Sequence, residues 1–349
     1  MTIAAPPDSL ATPQIDRIVR TGSSGAVVVL VNIGGAMRAV KTSHRPRVTA
    51  AQQAHARALI AQWFPGRLPE VLFAGPAHNR DVLVTRCPSP DTLADLTATD
   101  PTTALDVWSD IVDHLTEVWQ ASARQGFDPR AATRSHATRW ERGRAGLQWS
   151  LAQVGVGSIA GRRLVVNDVD LGNLDALLQR LRNFPLPRAR VACQGDPQPR
   201  NVLVDQNHRW HLIDWEWAGT HHDWRMLVSH LLGWWQIETL LATAHGTITT
   251  TPRGDLSVAY EQPDDGSERA FASGARAFDT MTATADRDRD LTALARHLAM
   301  LHLREIPKVA RTMPWRVAPL LGQAAHLAAG PTDDLLQLLT PSKTDRRPR

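Results

Sequence analysis

The first 87 residues alternate short apolar runs with polar turns, a pattern that predicts a small antiparallel sheet carrying one helix. The run "IDRIVR" alternates apolar and polar positions, and "TGSSG" separates it from the β-branched run "AVVVLVN". A glycine turn and "AMRAVKTS" follow, so the pattern predicts three neighbouring strands. The Ala-rich residues 49–63 have helical composition, and "LPEVLFAG" and "DVLVTRC" predict two further strands.

The pattern changes at "CPSPDTLADL", where two prolines predict a linker. Beyond it, apolar residues recur at helical spacing over residues 105–119, which predicts a long amphipathic helix. Helices are also predicted over residues 130–152 and in "LGNLDALLQRLRNF". From Asp223 onward the pattern is helical except for a polar loop over residues 249–269.

These patterns together predict the domain organisation of the chain. They predict a flexible tail over residues 1–14, an N-terminal lobe over 15–87, a C-terminal lobe over 88–340 and a second tail over 341–349.

Composition narrows the class of protein. With 349 residues, of which 43% are hydrophobic, the chain can form a packed core, and its net charge of +4 is too weak to indicate nucleic acid as a partner. Two cysteines far apart in sequence indicate neither a disulfide framework nor a zinc site. We find no signal peptide and no run of the roughly 18 apolar residues that would span a bilayer. We therefore expect a cytoplasmic protein without a membrane partner, either a monomer or a homodimer.

The stretch "CQGDPQPRNVLVD" places polar residues around the start of a predicted hairpin. Asp196 lies in a Gly/Pro-rich loop, Asn201 follows just before the strand, and Asp214 ends the partner strand. Because the two strands pair antiparallel, Asn201 and Asp214 fall at the same end of the ladder, which Asp196 can also reach. Carboxylate and amide oxygens suit Mg²⁺, and a remaining carboxylate can accept a hydroxyl proton. These groups are typical of phosphoryl transfer.

The stretch "QGDPQPRNVLVD", with "HLIDWEWAG" after it, resembles the aminoglycoside phosphotransferase and choline kinase family, small-molecule relatives of the protein kinases. The resemblance implies an α+β, bilobal protein-kinase-like fold with a small antiparallel-sheet N-lobe and a larger, mostly helical C-lobe. It implies that Asp196 is the catalytic base and that Asn201 and Asp214 are the metal ligands. Glu216 matches a second acidic position, and Asp223 matches a position that we interpret as structural.

The N-terminal lobe carries the other half of the resemblance. "GSSGAVVVLV" resembles a nucleotide-covering loop, although Gly22 and Gly25 could equally form an ordinary hairpin turn, and "RAVKTS" resembles the strand whose lysine binds ATP phosphates. Residues 84–88 match the hinge that offers backbone groups to adenine. The implied nucleotide contacts are Gly22, Ser23, Ser24, Gly25, Lys41, Thr85 and Cys87.

Two positions depart from the family pattern. Gln194 stands where the family has a histidine that supports the loop, and glutamine can still donate and accept hydrogen bonds. Residues 42–69 contain no Asp or Glu, so the helix after Lys41 lacks the expected acidic partner; the nearest polar candidates are Gln52, Gln53 and His55. Either Lys41 relies on the nucleotide phosphates alone, or another carboxylate reaches it, or the kinase is impaired.

The resemblance implies transfer of the γ-phosphate of ATP or GTP, with Mg²⁺, to a hydroxyl of a small molecule. An aminoglycoside or other antibiotic, as in antibiotic resistance, and a hydroxylated metabolite are both open as acceptors. The acidic stretch "EQPDDGSE" could face a polycationic aminoglycoside, and a polar surface loop explains it equally well. The alternative function is a nucleotide-binding, pseudokinase-like regulatory protein with little or no turnover.

Several other features favour structural interpretations. We interpret the Arg-rich run over residues 130–144 as a solvated helical face, with nucleic-acid binding as the competing hypothesis. His221 and His222 are predicted in a surface loop, because adjacent histidines do not share one face of a strand or helix. Trp215 and Trp217 alternate with the acids Asp214 and Glu216, so on a strand they would point into the core.

Overall fold

The computed structural model of the protein describes residues 14–20, 26–44, 46–125, 129–183, 186–261 and 268–330. Most of the two predicted tails, and most of the acidic stretch "EQPDDGSE", lie outside the described residues. The predicted nucleotide contacts Gly22, Ser23, Ser24 and Gly25 also lie outside them.

Strands and helices follow one another along the described residues. The first group is β1 (Gln14–Arg20), β2 (Val27–Ile33), β3 (Ala36–Ser43), α1 (Ala50–Ile60), β4 (Val71–Ala77), β5 (Arg80–Arg86), α2 (Leu93–Thr99), α3 (Pro101–Ser122), β6 (Arg124–Gln125) and α4 (Pro129–Gln153). The second group is β7 (Arg163–Val166), β8 (Val169–Asn173), α5 (Leu174–Arg182), β9 (Ala189–Cys193), β10 (Val202–Val204), β11 (Trp210–Leu212), β12 (Gly219–His222) and α6 (Trp224–Thr243). The last group is β13 (Gly246–Thr250), β14 (Leu256–Tyr260), α7 (Glu268–Met281), α8 (Arg287–Val309) and α9 (Val317–Ala329).

The chain divides into two compact units, and the first combines the described residues up to Val107 with Gln194–Gly219. Its five-stranded sheet has the order β1-β2-β3-β5-β4, with antiparallel neighbours, as the alternating pattern predicted. Gly34 and Gly35 join β2 to β3 with φ angles of 61° and 80°, which a two-residue hairpin turn requires at both positions. The predicted lobe boundary near residue 88 stays a prediction.

Helix α1 is positioned by its first turn. Thr49 and Gln52 form a reciprocal capping box there, which satisfies backbone N–H groups that the helix itself cannot bond. The backbone N–H of Ala50 donates to Asp81 Oδ2 at 2.6 Å, which ties the start of the helix to strand β5. The same helix also packs against β4.

The hairpin of β10 and β11 also belongs to the first unit. Val202 pairs with Leu212, and Val204 pairs with Trp210. The backbone N–H of Val204 donates to the Asp91 carbonyl, and helix α2 packs on β10 and on a 3₁₀ turn over Pro199–Asn201. The hairpin predicted for this stretch is therefore confirmed.

The second unit comprises Trp108–Cys193 and the described residues from Thr220 onward, and it is mainly helical. Helices α6 and α8 each bury more than half of their residues and pack against each other. The two helices approach closely because Gly233 has no Cβ. A Cβ at this position would lie only 2.6 Å from the Leu301 side chain. In the described part of the chain, no helix combines the length and the apolar character needed to cross a membrane.

One part of the second unit differs from the sequence prediction. The predicted polar loop over residues 249–269 contains much of a hairpin, β13 and β14, and β14 pairs parallel with β7 in a four-stranded sheet. The start of "LGNLDALLQRLRNF" likewise belongs to strand β8, and Asn173 caps the helix that follows. These short strands are stabilised by pairing with segments far away in sequence, so local patterning does not identify them.

The second unit also holds a buried ionic cluster, formed by Asp223, Arg225, Asp290, His297 and Thr282. The fully buried guanidinium of Arg225 donates to both oxygens of Asp223, at 3.0 and 2.9 Å, and to Asp290 at 3.1 Å. Thr282 donates to Asp290 at 3.0 Å, and His297 contacts Asp223 at 3.3 Å. Burial by itself would raise the pKa of Asp223, but Arg225 and His297 outweigh it and hold that pKa well below its usual range.

Candidate active site

The loop over residues 194–201, hereafter the Asp196 loop, is shaped by a glycine. Gly195 has a φ of +100°, a conformation that residues with a side chain rarely adopt. A Cβ at this position would lie 2.4 Å from the Trp217 carbonyl oxygen. The close approach of these two backbone segments therefore explains the glycine that precedes Asp196.

Gln194 joins the Asp196 loop to the end of the hairpin. Its Nε2 donates to the carbonyl oxygens of Ile213 and Asp214, at 2.6 and 2.8 Å, and its Oε1 accepts from the backbone N–H of Asp196 at 2.9 Å. The side chain is completely buried. The amide of Gln194 donates to two carbonyl oxygens and accepts from one N–H group, so this side chain supports the loop through three backbone groups.

The carboxylate of Asp196 is oriented by two neutral donors. Gln198 Nε2 donates to Asp196 Oδ2 at 2.9 Å, and Asn201 Nδ2 contacts the same oxygen at 3.4 Å. Asn201 also donates to the Asp196 carbonyl oxygen at 3.0 Å. Hydrogen bonds to a carboxylate oxygen limit its rotation, so Asp196 and Asn201 are held together as the sequence predicted.

Asp214 reaches the same end of the hairpin from the other strand. The backbone N–H of Ile213 donates to the Asn201 carbonyl oxygen at 3.0 Å, directly beside the Val202–Leu212 pair. Asp214 then adopts a left-handed conformation, with φ 59° and ψ 71°, which aspartate tolerates better than most residues. Such backbone conformations are frequent at functional sites.

Lys41 contacts Asp214 from strand β3. Its Nζ donates to Asp214 Oδ1 at 2.8 Å and to Gln53 Oε1 of helix α1 at 3.3 Å. Of the outcomes left open by the sequence, the structure shows that a carboxylate reaches the lysine. That carboxylate is Asp214, the residue whose role the resemblance implied to be metal binding.

Glu216 and Trp217 lie just beyond Asp214. Burial, together with the neighbouring Asp214 charge, raises the pKa of Glu216, and the cations Lys41 and Arg47 partly offset this. Residues 215–217 form a 3₁₀ turn and not a strand, so the predicted alternation fails. Trp215 is buried as predicted, but Trp217 is 38% exposed, with the guanidinium of Arg47 lying 4.6 Å from its ring centroid.

An apolar cluster lies beside the predicted hinge. Thr85 is buried at the end of β5, and Cys87 packs in this cluster. Burial raises the pKa of the Cys87 thiol to about 11, so the thiol is neutral near pH 7, and it donates to the Ser89 carbonyl. The members of the cluster are Leu30, Cys87 and Leu203, with Val28, Met37, Ala39 and Ile213 packed against them.

The donor atoms at the hairpin end fit the implied magnesium ion. Asn201 directs its amide nitrogen toward Asp196, which leaves the amide oxygen as a potential ligand. Asp214 uses Oδ1 for Lys41, and its Oδ2 accepts no hydrogen bond from the described residues. These are hard oxygen donors of the kind that Mg²⁺ prefers. Within the described ranges, no three His, Cys, Asp or Glu side chains are grouped so that they could hold a metal ion.

The remaining predicted residues lie in the second unit. Asp223 caps helix α6 by accepting from the Arg225 backbone N–H at 3.0 Å, and it belongs to the buried ionic cluster. His221 and His222 lie in strand β12 and not in a surface loop, and His222 is buried. The Arg-rich run lies on helix α4.

Sequence reasoning did not anticipate two residues near the site. Gln198 carried no signal of its own in the sequence, and its contact with Asp196 arises from the folding of the loop. Arg47 had no recognisable signal, because a single arginine in a loop is usually solvated. The stacking of its guanidinium on Trp217 depends on the 3₁₀ turn.

Proteins of known structure share the fold of this chain, although their sequences differ from it. No protein-family model matches the sequence, and no curated protein is similar to it in sequence. Among solved structures, a thermostable mutant of the aminoglycoside phosphotransferase APH(4)-Ia in complex with ADP and hygromycin B is 15% identical and has a TM-score of 0.51, covering 89% of this chain and 92% of that chain. The apo form of such a mutant is 14% identical with a TM-score of 0.52, covering 90% and 94%.

A complex of the same phosphotransferase with AMP-PNP and hygromycin B is 15% identical, with a TM-score of 0.52, and covers 92% of this chain and 94% of that chain. Identities this low establish the fold alone. The observed antiparallel sheet and mainly helical second unit agree with it. The chain therefore has the protein-kinase-like α+β fold of the aminoglycoside phosphotransferases, which confirms the fold that the sequence resemblance implied.

Proposed function

We propose that the protein transfers the γ-phosphate of ATP or GTP to a hydroxyl group of a small molecule. The observation that carries the proposal is the convergence of four polar side chains in the first unit. Lys41 contacts Asp214 at 2.8 Å, and Asn201 holds Asp196 at the same hairpin end to which Asp214 belongs. A cation for phosphates, a carboxylate base and oxygen ligands for a metal are the groups that phosphoryl transfer uses.

Each residue has a defined part in the proposed reaction. Asp196, oriented by Gln198 and Asn201, aligns the acceptor hydroxyl and takes its proton. The hydroxyl oxygen bonds to the γ-phosphorus, and the bond to the β–γ bridging oxygen breaks, which releases the nucleoside diphosphate. Lys41 binds the phosphates. Asn201 and Asp214 would hold Mg²⁺, which neutralises phosphate charge when it is bound.

The apolar cluster beside the hinge would hold the base of the nucleotide. Its side chains come from β2, β3, β10, the hinge at Cys87 and Ile213 after β11, so an aromatic base would contact apolar groups on more than one side. Backbone groups of the hinge near Cys87 would form hydrogen bonds with the edge of the base. Apolar contacts do not distinguish adenine from guanine, so ATP and GTP are both proposed as donors to test.

The acceptor is proposed only as a class, a small molecule with an accessible hydroxyl group. The fold relative binds hygromycin B, an observation that belongs to that protein and makes aminoglycosides the first compounds to test. Hydroxylated metabolites form the second set, because acceptor-binding side chains are not shared through the fold itself.

The test is a screen of hydroxylated acceptors with γ-labelled ATP or GTP and Mg²⁺, read by mass spectrometry of the product. We expect transfer by the wild-type protein and a loss of roughly 10²- to 10⁴-fold in Asp196→Asn, the range for removal of a general base. Asp91→Asn, which changes an exposed aspartate of the same unit, is the matched control and should keep full activity. Full activity in Asp196→Asn would contradict the assignment.

A second function is a nucleotide-binding regulatory protein without turnover. The observation that favours it is the absence of an acidic residue in helix α1, which leaves Lys41 with an uncharged partner there. Nucleotide binding without transfer to any acceptor, and without hydrolysis, would support this alternative.

A further inference from the structure

Gln53 occupies a buried position between Lys41 and the loop that precedes helix α1. Only 4% of the residue is exposed. Its Oε1 accepts from Lys41 Nζ at 3.3 Å, and its Nε2 donates to the Val48 carbonyl oxygen at 3.1 Å. The side chain therefore makes one bond to the nucleotide-facing lysine and one to the backbone that leads into its own helix.

The two partners of Gln53 require an amide. An ammonium group only donates hydrogen bonds, and a peptide carbonyl only accepts them, so the partners also determine which end of the amide faces which group. A glutamate here would place a second oxygen against the Val48 carbonyl, and neither oxygen could donate. The position is therefore matched to glutamine. A glutamate, the residue type expected in the family, would not improve the contacts with Lys41 and Val48 taken together.

The charge of Lys41 has a different partner. Among the described residues, Asp214 is the one carboxylate in ion-pair contact with the lysine. The Lys41 and Asp214 side chains are each partly exposed, which permits the ion pair to be replaced by phosphate and metal. An uncharged residue in helix α1 would not compete with the phosphates for the ammonium.

We infer that Gln53 is a positioning residue that orients Lys41 toward the nucleotide phosphates without neutralising its charge. This inference rests on the proposed function, because it assigns the lysine to phosphate binding. It distinguishes the protein from kinases of the same fold in which a helix carboxylate pairs with the lysine. It also makes the missing acidic residue a feature of phosphate binding in this chain and not a defect.

The test compares three variants in helix α1. Gln53→Leu removes both hydrogen bonds, and Gln53→Glu keeps the size but replaces the donor by an oxygen. Gln52→Glu is the matched control, since it adds the same charge one position earlier, where the capping box accepts a glutamate. The affinities for Mg²⁺-bound AMP-PNP and for adenosine are measured by calorimetry for each variant.

Gln53→Leu should lower the affinity for AMP-PNP by about tenfold, the effect of losing a hydrogen bond to a charged group. Gln53→Glu should also lower it, because the glutamate pairs with the Lys41 ammonium, competes with the phosphates and loses the hydrogen bond to the Val48 carbonyl. Adenosine affinity should not change, because adenosine lacks the phosphates that Lys41 binds; a general structural defect would lower both affinities. Gln52→Glu should match the wild type for both ligands. Wild-type AMP-PNP affinity in Gln53→Leu, or equal or tighter binding in Gln53→Glu, would overturn the inference.

If the proposed nucleotide binding itself fails, the wild-type protein binds neither ligand; binding without transfer instead supports the regulatory alternative and still permits the comparison of variants. The contact between Gln53 and Lys41 is then tested without nucleotide. Chemical denaturation is measured for Gln53→Leu, for Lys41→Met and for the variant that combines them. If the shift of the denaturation midpoint in the double variant differs from the sum of the two single shifts, the side chains are coupled. A double-variant shift equal to that sum contradicts coupling. If Gln53→Leu does not fold, Gln53→Glu measured against Gln52→Glu provides the decisive comparison.

Discussion

The Asp196 loop and the buried ionic cluster are both dense in polar groups, but they are held together differently. The loop is secured by uncharged donors and acceptors, mainly the amides of Gln194 and Gln198. The cluster is secured by charges, with the fully buried Arg225 between two aspartates. This difference indicates separate roles: Lys41 and Asp214 of the proposed active site form a partly exposed ion pair that phosphate and metal would replace, while the charges of the cluster satisfy one another and stabilise the second unit.

The largest expected effect comes from breaking the cluster. Arg225→Met leaves the carboxylates of Asp223 and Asp290 buried without their cation, so the free energy of unfolding should fall by about 3–5 kcal/mol. Chemical denaturation followed by tryptophan fluorescence measures the change. The control is Arg276→Met, whose half-exposed side chain pairs with Asp113 and should change stability by no more than about 1 kcal/mol. Equal effects of the two substitutions would mean that the buried cluster contributes no more to stability than an exposed ion pair.

Gln194→Ala tests the uncharged region. It leaves two backbone carbonyls and one backbone N–H without the partner they have now, and at about 1 kcal/mol for each bond the loss should total about 3 kcal/mol. The loss should be independent of salt, because no charge is removed. It is measured by denaturation at low and high ionic strength, and a change below about 1 kcal/mol would show that the amide does not support the loop.

The stability of the second unit should depend on pH through His302. Burial lowers its pKa to about 4, although its ring donates to the Leu298 carbonyl. Between this value and the unfolded pKa of about 6.5, the unfolded chain binds a proton that the folded chain excludes. The free energy of unfolding should therefore be highest above about pH 6.5 and fall by about 1.4 kcal/mol per unit as pH decreases.

His302→Leu is the variant that isolates this contribution. It should flatten the dependence of the unfolding free energy on pH between about 6.5 and 4. Some slope of the same sign should remain, because burial also lowers the pKa of His297. An unchanged slope in the variant would mean that His302 titrates normally in the folded protein.

The smallest expected effect is at the exposed edge of the proposed site. Arg47→Ala removes the guanidinium from the ring of Trp217, and an exposed contact of this kind contributes about 0.5–1 kcal/mol. Denaturation measures the loss, and Lys308→Ala, a surface change in the second unit, provides a comparison. A loss of several kcal/mol would mean that Arg47 is part of the structural support of the loop.

Much of the first unit could be predicted from local patterns. Alternating apolar residues and paired glycines predict the sheet, and the expected hairpin register places Asn201 and Asp214 at one end, as the structure shows. The four-stranded sheet of the second unit could not be predicted in this way. The partner of β14 is β7, far earlier in the chain, and short strands with such partners carry little local signal.

The sequence by itself determined the antiparallel sheet, the hairpin and the family-like order of Lys41, Asp196, Asn201 and Asp214, because these depend on side-chain periodicity and on spacing within one hairpin. Only the tertiary structure decided the partners of Lys41. Helix α1 and the hairpin are separated by more than a hundred residues, and packing brings Gln53 and Asp214 to the same ammonium group. A hydrogen bond depends on distances of a few tenths of an ångström, and these are set by the packing of whole elements and not by sequence spacing.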